Sequence, residues 1–119
     1  SMQVPEVVAF LENNLDLKNS DIDKILYNWS DEALIYLLLS LDDEEAWENV
    51  VRYLDIKDKV VVKITGHDLK ALGIKQGPVY REILDKIYQL KLNGELNSKE
   101  DEIAIVKNWI KENNYAINS

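Results

Sequence analysis

The residues whose types and spacing could do chemistry fall in one stretch of this chain, from Gly66 to Arg81. Gly66, Gly73, Gly77 and Pro78 divide it into a short helix, a glycine-bounded loop and the start of a second helix. A helix opening at Gly77-Pro78 has no side-chain bulk at its amino end, so the backbone N–H groups of Val79 and Tyr80 are predicted to point back toward the loop. Free amides and the positive end of the helix dipole make an anion site suited to one phosphate. Lys70, Lys75 and Arg81 bring cations near that point, and His67, Gln76 and Tyr80 can add hydrogen bonds. Such a group would position a nucleic-acid backbone without reading bases. The same spacing fits a plainer and commoner reading, in which Gly73 is only a helix cap, Gly77-Pro78 only a turn, and the lysines a solvated face. Helix-hairpin-helix motifs share the plan, but with a tighter G-x-G hairpin. Here Lys75 and Gln76 separate Ile74 from Gly77.

Other chemistry finds no support. His67 is the sole histidine and there is no cysteine, so a His/Cys metal cluster and a Ser-His-Asp triad are both excluded. His67 reads first as an exposed residue in a helix's first turn, with a phosphate or base contact as the alternative. Asp68 reads as a hydrogen-bond acceptor bracing the loop. Asp21-Ile-Asp23 spells D-x-D, but it follows Ser20 at a helix start, where capping explains it. Asp42 to Glu45 lack the glycine and the alternating ligands of an EF-hand, so they read as a dipole-complementing helix start. Trp29, Trp47 and Trp109 fall on apolar faces and are expected in cores. Tyr80 is the aromatic expected to be exposed and near nucleic acid, with a buried ring as the alternative.

The charge balance bears on partners. The chain of 119 residues has a net charge of -8, unevenly spread. Residues 1–56 hold 3 Lys/Arg against 13 Asp/Glu, residues 57–91 hold 8 against 4, and residues 92–119 hold 3 against 5. The basic third therefore contains the glycine-bounded stretch. Hydrophobic residues at 46% and charged residues at 30% predict an ordinary globular fold. Absence of cysteine makes a reducing cytoplasm the natural compartment. No apolar run is long enough to span a bilayer, so no membrane partner is expected. Ser1-Met2 reads as a tag remnant, and the chain as a cut-out fragment.

The elements that must position the stretch are helices. The pattern predicts an all-α, single-domain helical bundle of about six or seven helices, with a helix–loop–helix at residues 66–92. A first helix has Pro5 at its first position, with Val7, Phe10, Leu11 and Asn14 on one face. Ser20 is expected to cap a second with the stripe Ile22, Ile25, Leu26 and Trp29, and Ser30 a third. Leu34 to Leu39 is apolar nearly all round, predicting a central, buried helix. A fourth begins near Asp42 with Trp47, Val50, Val51 and Leu54 inward. Val60 to Val62 read as an extended connection that buries alternate valines. Pro78 is expected at the first position of the second motif helix, Asn93-Gly94 at its end, and Ser98 with Asp101 as the cap of a last helix bearing Ile103, Val106 and Ile110 inside.

The run ITGHDLKALGIKQGPVYREILDKIYQLKLNGELNSKEDE resembles the C-terminal tail of bacterial tRNA nucleotidyltransferases and their poly(A) polymerase relatives, the CCA-adding or A-adding enzymes. The family pattern I-x-G-x-D-L, L-G, G-P-x-Y/F, I-L and L-x-G-x-L/V is met by Ile64, Gly66, Asp68, Leu69, Leu72, Gly73, Gly77, Pro78, Tyr80, Ile83, Leu84, Leu92, Gly94 and Leu96. Gln76 stands where the family commonly has proline, a change expected to loosen the loop. The close match covers roughly a third of the chain.

The resemblance implies a fragment that binds tRNA and holds it for an N-terminal catalytic head which is not in this sequence. It implies no catalytic residue and no cofactor here, while the parent would use Mg and nucleoside triphosphates. Residues 1–56 would be an acidic helical body and 57–119 the tail. RNA or phosphate contacts would come from His67, Lys70, Lys75, Gln76, Gly77, Val79, Tyr80 and Arg81. The parent's head is the expected protein partner, with a homo-oligomer as a further option. An alternative is a sterile-alpha-motif-like protein-interaction module, whose closing helices DLKALGIKQGPVYREILDKIYQL echo. The continuation after Leu90, through Gly94 and the helix capped by Ser98, has no role in that module. A third reading is a structural spacer for the head.

Overall fold

The computed structural model describes residues 2–112 and Tyr115. They form seven α-helices, in keeping with the all-α expectation: α1 (Val4–Asn13), α2 (Asn19–Leu26), α3 (Asp31–Ser40), α4 (Glu44–Lys57), α5 (Gly66–Ala71), α6 (Val79–Leu92) and α7 (Lys99–Lys111). The chain divides into two compact units, Ser1–Lys59 and Val60–Ser119.

In the first unit α1 packs on α3 and α4, and α2 packs on α4. Val7 and Leu11 of α1, Ile22 and Leu26 of α2, Leu37 of α3, and Ala46, Val50 and Tyr53 of α4 are buried together. Each fully buried side chain of Val, Leu or Ile size contributes ~1.5–3 kcal/mol against exposure. Ser30 caps α3 by accepting the Ala33 N–H at 3.2 Å, as expected. Asp43 caps α4 through the Ala46 N–H at 2.9 Å. Glu12 Oε2 accepts the N–H groups of Asp42 and Asp43, at 2.8 and 2.9 Å, tying α1 to the α3–α4 turn. Asn49 Nδ2 donates to the Leu15 carbonyl at 3.0 Å, and Tyr53 Oη donates to Asp23 Oδ1.

Four expectations for this unit are corrected. α2 is opened by Lys18, whose N–H donates to Asp21 Oδ2 at 2.9 Å, and Ser20 lies buried inside the helix. The carboxylate three residues on does the capping. The inner face of α4 is Ala46, Asn49, Val50 and Tyr53, which leaves Trp47 41% exposed. Burial there follows the polar partners of Asn49 and Tyr53 and rotates the stripe away from the tryptophan. Phe10 is exposed beside buried Val7 and Leu11. Finally, α3 is not a buried central helix. Only Leu37 within it is fully enclosed, and Ile35, Tyr36 and Leu39 are 58%, 62% and 81% exposed. One face of α3 meets the core, and nothing in the unit covers the other.

The second unit opens with residues 60–65 extended. Val61 faces out while Val62 and Ile64 turn inward, the alternation expected of a strand-like segment. Thr65 opens α5, its hydroxyl accepting the Asp68 N–H while Asp68 Oδ2 accepts the Thr65 N–H at 2.8 Å. Leu72 closes α5 with Gly73 beyond it at φ 91°. Gly73 N–H donates to Lys70 O and Ile74 N–H to Leu69 O, the paired bonds of a Schellman ending, with Leu69 and Ile74 both buried. α6 ends the same way. Gly94 at φ 74° donates to Lys91 O and Glu95 N–H donates to Leu90 O. Ser98 and Asp101 cap α7 reciprocally, as expected. The core joins Ile64, Leu69, Ile74, Ile83, Ile87 and Val106, with Trp109 and Ile110 packed against it.

A buried ion pair, absent from the sequence reading, locks this unit. Glu102 is fully buried; its Oε1 accepts the N–H groups of Lys63 and Ile64, each at 2.9 Å, and its Oε2 pairs with Lys91 Nζ. Both charges sit on apolar stripes, Glu102 with Val106 and Ile110 and Lys91 with Ile83 and Ile87, at helical i+4 and i+8 spacing. Opposite charges on two core stripes were the available signal that they are partners.

Candidate nucleic-acid interface

The stretch from Gly66 to Arg81 folds as the predicted helix, loop and helix, α5 and the start of α6. Lys70 lies in the last turn of α5, Lys75 and Gln76 in the loop, and Arg81 in the first turn of α6. All four side chains are exposed, as is His67 in the first turn of α5.

The basic segment from 57 to 91 can be sorted by what each cation does. Lys57 Nζ donates to the Tyr27 carbonyl at 3.2 Å, Lys59 pairs with Asp55, and Lys91 pairs with Glu102. Lys86 Nζ lies 4.6 Å from the Trp109 ring centroid and 5.2 Å from that of Tyr115, and donates to Tyr115 Oη at 2.8 Å. These four are engaged by the fold itself. Among the described residues, the side chains of Lys63, Lys70, Lys75 and Arg81 enter no ion pair and no hydrogen bond. The sequence reading omitted Lys63. Its signal was the alternation of the extended segment, which turns Val61, Lys63 and Thr65 outward together.

The backbone half of the predicted anion site is only partly available. Tyr80 N–H donates to Gly77 O at 3.1 Å, so of the two amides expected to be free it is already used. Pro78 occupies the cap position before Val79, one residue earlier than expected. Gly77 is exposed, and a Cβ added there would meet nothing within 4 Å. Tyr80 itself is half-buried. Its hydroxyl donates to the Ile74 carbonyl at 2.7 Å, and its ring edge lies 3.5 Å from where a Cβ on Gly66 would sit. Of the two placements open for Tyr80, the ring takes the more enclosed one and fastens the loop.

Asp68 braces the motif, as expected. Its carboxylate is held below the usual range by the Thr65 backbone N–H first, then by the Thr65 hydroxyl and by Lys99 at 3.2 Å. Asp101 is likewise lowered, by the N–H groups of Asn97 and Ser98.

The family model for tRNA nucleotidyltransferase domain 2 matches residues 30–106, which include the whole motif. An A-adding tRNA nucleotidyltransferase of Geobacter sulfurreducens is 41% identical over 90 residues, 76% of this chain and 10% of that protein. An A-adding tRNA nucleotidyltransferase of Halalkalibacterium halodurans is 28% identical over 108 residues, 89% of this chain and 25% of that protein. The chain thus spans a tenth to a quarter of the length of these relatives. No solved structure matches it significantly. With a match that runs through both units and the motif alike, the chain belongs to the tRNA nucleotidyltransferase domain 2 family.

Proposed function

We propose that this chain is a tRNA-binding region of an A-adding nucleotidyltransferase, holding the tRNA while a catalytic head elsewhere in the parent extends its 3′ end. The observation that carries this reading is the set of exposed, unengaged cations Lys70, Lys75 and Arg81 around the α5–α6 loop. Four other cations of the same segment have partners within the chain, so these three, with Lys63, are the charges left for a partner. Family membership supports tRNA as that partner, and the names of the two relatives favour A addition for the parent. Mg and nucleoside triphosphates would be used at the head, and the working compartment would be the cytoplasm.

In this reading the three cations contact phosphates, with His67 and Gln76 adding hydrogen bonds and Val79 offering its backbone N–H. Tyr80 orders the loop. Contacts of this kind fix where the RNA lies and carry no base information. Affinity should be modest and salt-sensitive, its logarithm falling with the logarithm of salt concentration by ~0.9 per phosphate contacted.

The test is filter binding of tRNA by the chain across a salt series, with the triple substitution Lys70→Glu, Lys75→Glu and Arg81→Glu beside it. The triple variant, checked for helicity by circular dichroism, should lose binding, and its salt slope should flatten by ~2–3. Unchanged affinity and slope would show that the motif is not where RNA is held.

A further inference from the structure

The outer face of α3 poses a question that the RNA-holding reading leaves untouched. Seven of the ten residues in Asp31–Ser40 are apolar, yet only Leu37 is fully buried. Ile35, Tyr36 and Leu39 stand largely in solvent. Ile35 also borders an open groove with Leu34 and Leu38 of α3, Leu54 of α4 and Trp29, so the apolar surface continues between the two helices. Helices that face only water carry polar residues at such positions. Contiguous exposed apolar surface rimmed by charge marks a docking site more often than chance.

The rim says what kind of partner fits. Asp31 and Asp58 line the groove, with exposed Glu32 one residue along α3. Lys57, the one cation lining it among the described residues, donates to the Tyr27 carbonyl and lies 5.6 Å from the Tyr53 ring centroid. The unit holds fourteen Asp/Glu against five Lys/Arg. A second copy seated on the same face would bring like charges together, and nucleic acid would be repelled. We infer that the α3 face and the α3–α4 groove dock a protein helix with an apolar stripe flanked by lysine or arginine.

The test uses the 119-residue chain and two synthetic helical peptides with the same leucine stripe, one flanked by lysines and one by glutamates. Binding is read by fluorescence anisotropy and by amide chemical shifts in α3. The lysine peptide should saturate, weaken as salt rises, and weaken at least about tenfold against Ile35→Ser/Leu39→Ser, a loss of ~1.4 kcal/mol. Asp31→Asn/Asp58→Asn should weaken it while leaving the apolar face intact. Because Ile35 and Leu39 are exposed, these variants keep the core; circular dichroism checks this. Equal binding of the glutamate peptide, no saturable binding of either, or a dimer in sedimentation that Leu39→Asp dissolves would each overturn the assignment.

Discussion

The two units of this chain reach stability by different chemistry. The first, to Lys59, has no glycine, a net charge of -9 and a core sealed by neutral polar groups such as Asn49 and Tyr53. The second holds all four glycines, a net charge of +1 and a buried Lys91–Glu102 pair at its centre. Here α5 and α6 are stopped by glycines in the left-handed region, where a side chain would be strained, and α5 and α7 are started by reciprocal capping boxes. Sharply defined helix ends are what a loop needs if it is to present side chains in fixed positions. The first unit instead leaves apolar surface uncovered on α3.

The largest effect that separates the units is expected from Glu102→Ala. It leaves Lys91 buried without its partner and strips two backbone amides of their acceptor, which costs ~3–5 kcal/mol. Hydrogen exchange should accelerate through α5, α6 and α7 while α1 to α4 keep their protection. Uniform acceleration would mean that the units do not have separable stability. The reverse experiment is Leu37→Ala, which empties a fully buried site in the first unit and should cost ~2–5 kcal/mol. Leu39→Ala, two residues away on the exposed face, should stay within about 0.5 kcal/mol. Similar losses from both, in urea titrations followed by amide signals of each unit, would contradict the one-sided burial of α3.

The smallest effect concerns pH. Asp68 and Asp101 titrate below their unfolded values, so their contribution is complete above the ordinary carboxylate range. It is lost as pH falls through the lowered folded values. The second unit should therefore weaken on acidification below about pH 4. Asp68→Asn/Asp101→Asn should flatten that limb of the stability curve for the second unit and leave the first unit's profile unchanged.

The features of this fold that were legible in the sequence are those set by local chemistry. Ser30 and Ser98 cap where spacing placed them, and Gly73 and Gly94 end helices because a left-handed residue is required there. Burial was less legible. An apolar run such as Leu34 to Leu39 looks the same whether it faces a core or an absent partner, and Trp47 yielded its inward position to Asn49 and Tyr53. Asn49 finds its partner 34 residues away and Tyr53 finds Asp23 30 residues away, separations that periodicity does not report. At the candidate interface Lys70, Lys75 and Arg81 are exposed around the loop. Tyr80's half-buried ring was one of two placements the sequence left open, and the use of its amide was not foreseen, because both depend on how the loop closes.

The closure by Tyr80 has a consequence for the glutamine in that loop. Where proline would restrict the chain through its ring, this sequence places Gln76, and looseness was the expectation. The Tyr80 hydroxyl instead fixes Ile74 across six positions, so Lys75 and Gln76 sit on a backbone fastened at both ends. That bond limits the backbone freedom left at Lys75 and Gln76, so RNA held there, as proposed above, would have less to order. Tyr80→Phe should therefore show its effect as weaker binding with a more unfavourable entropy, at unchanged charge.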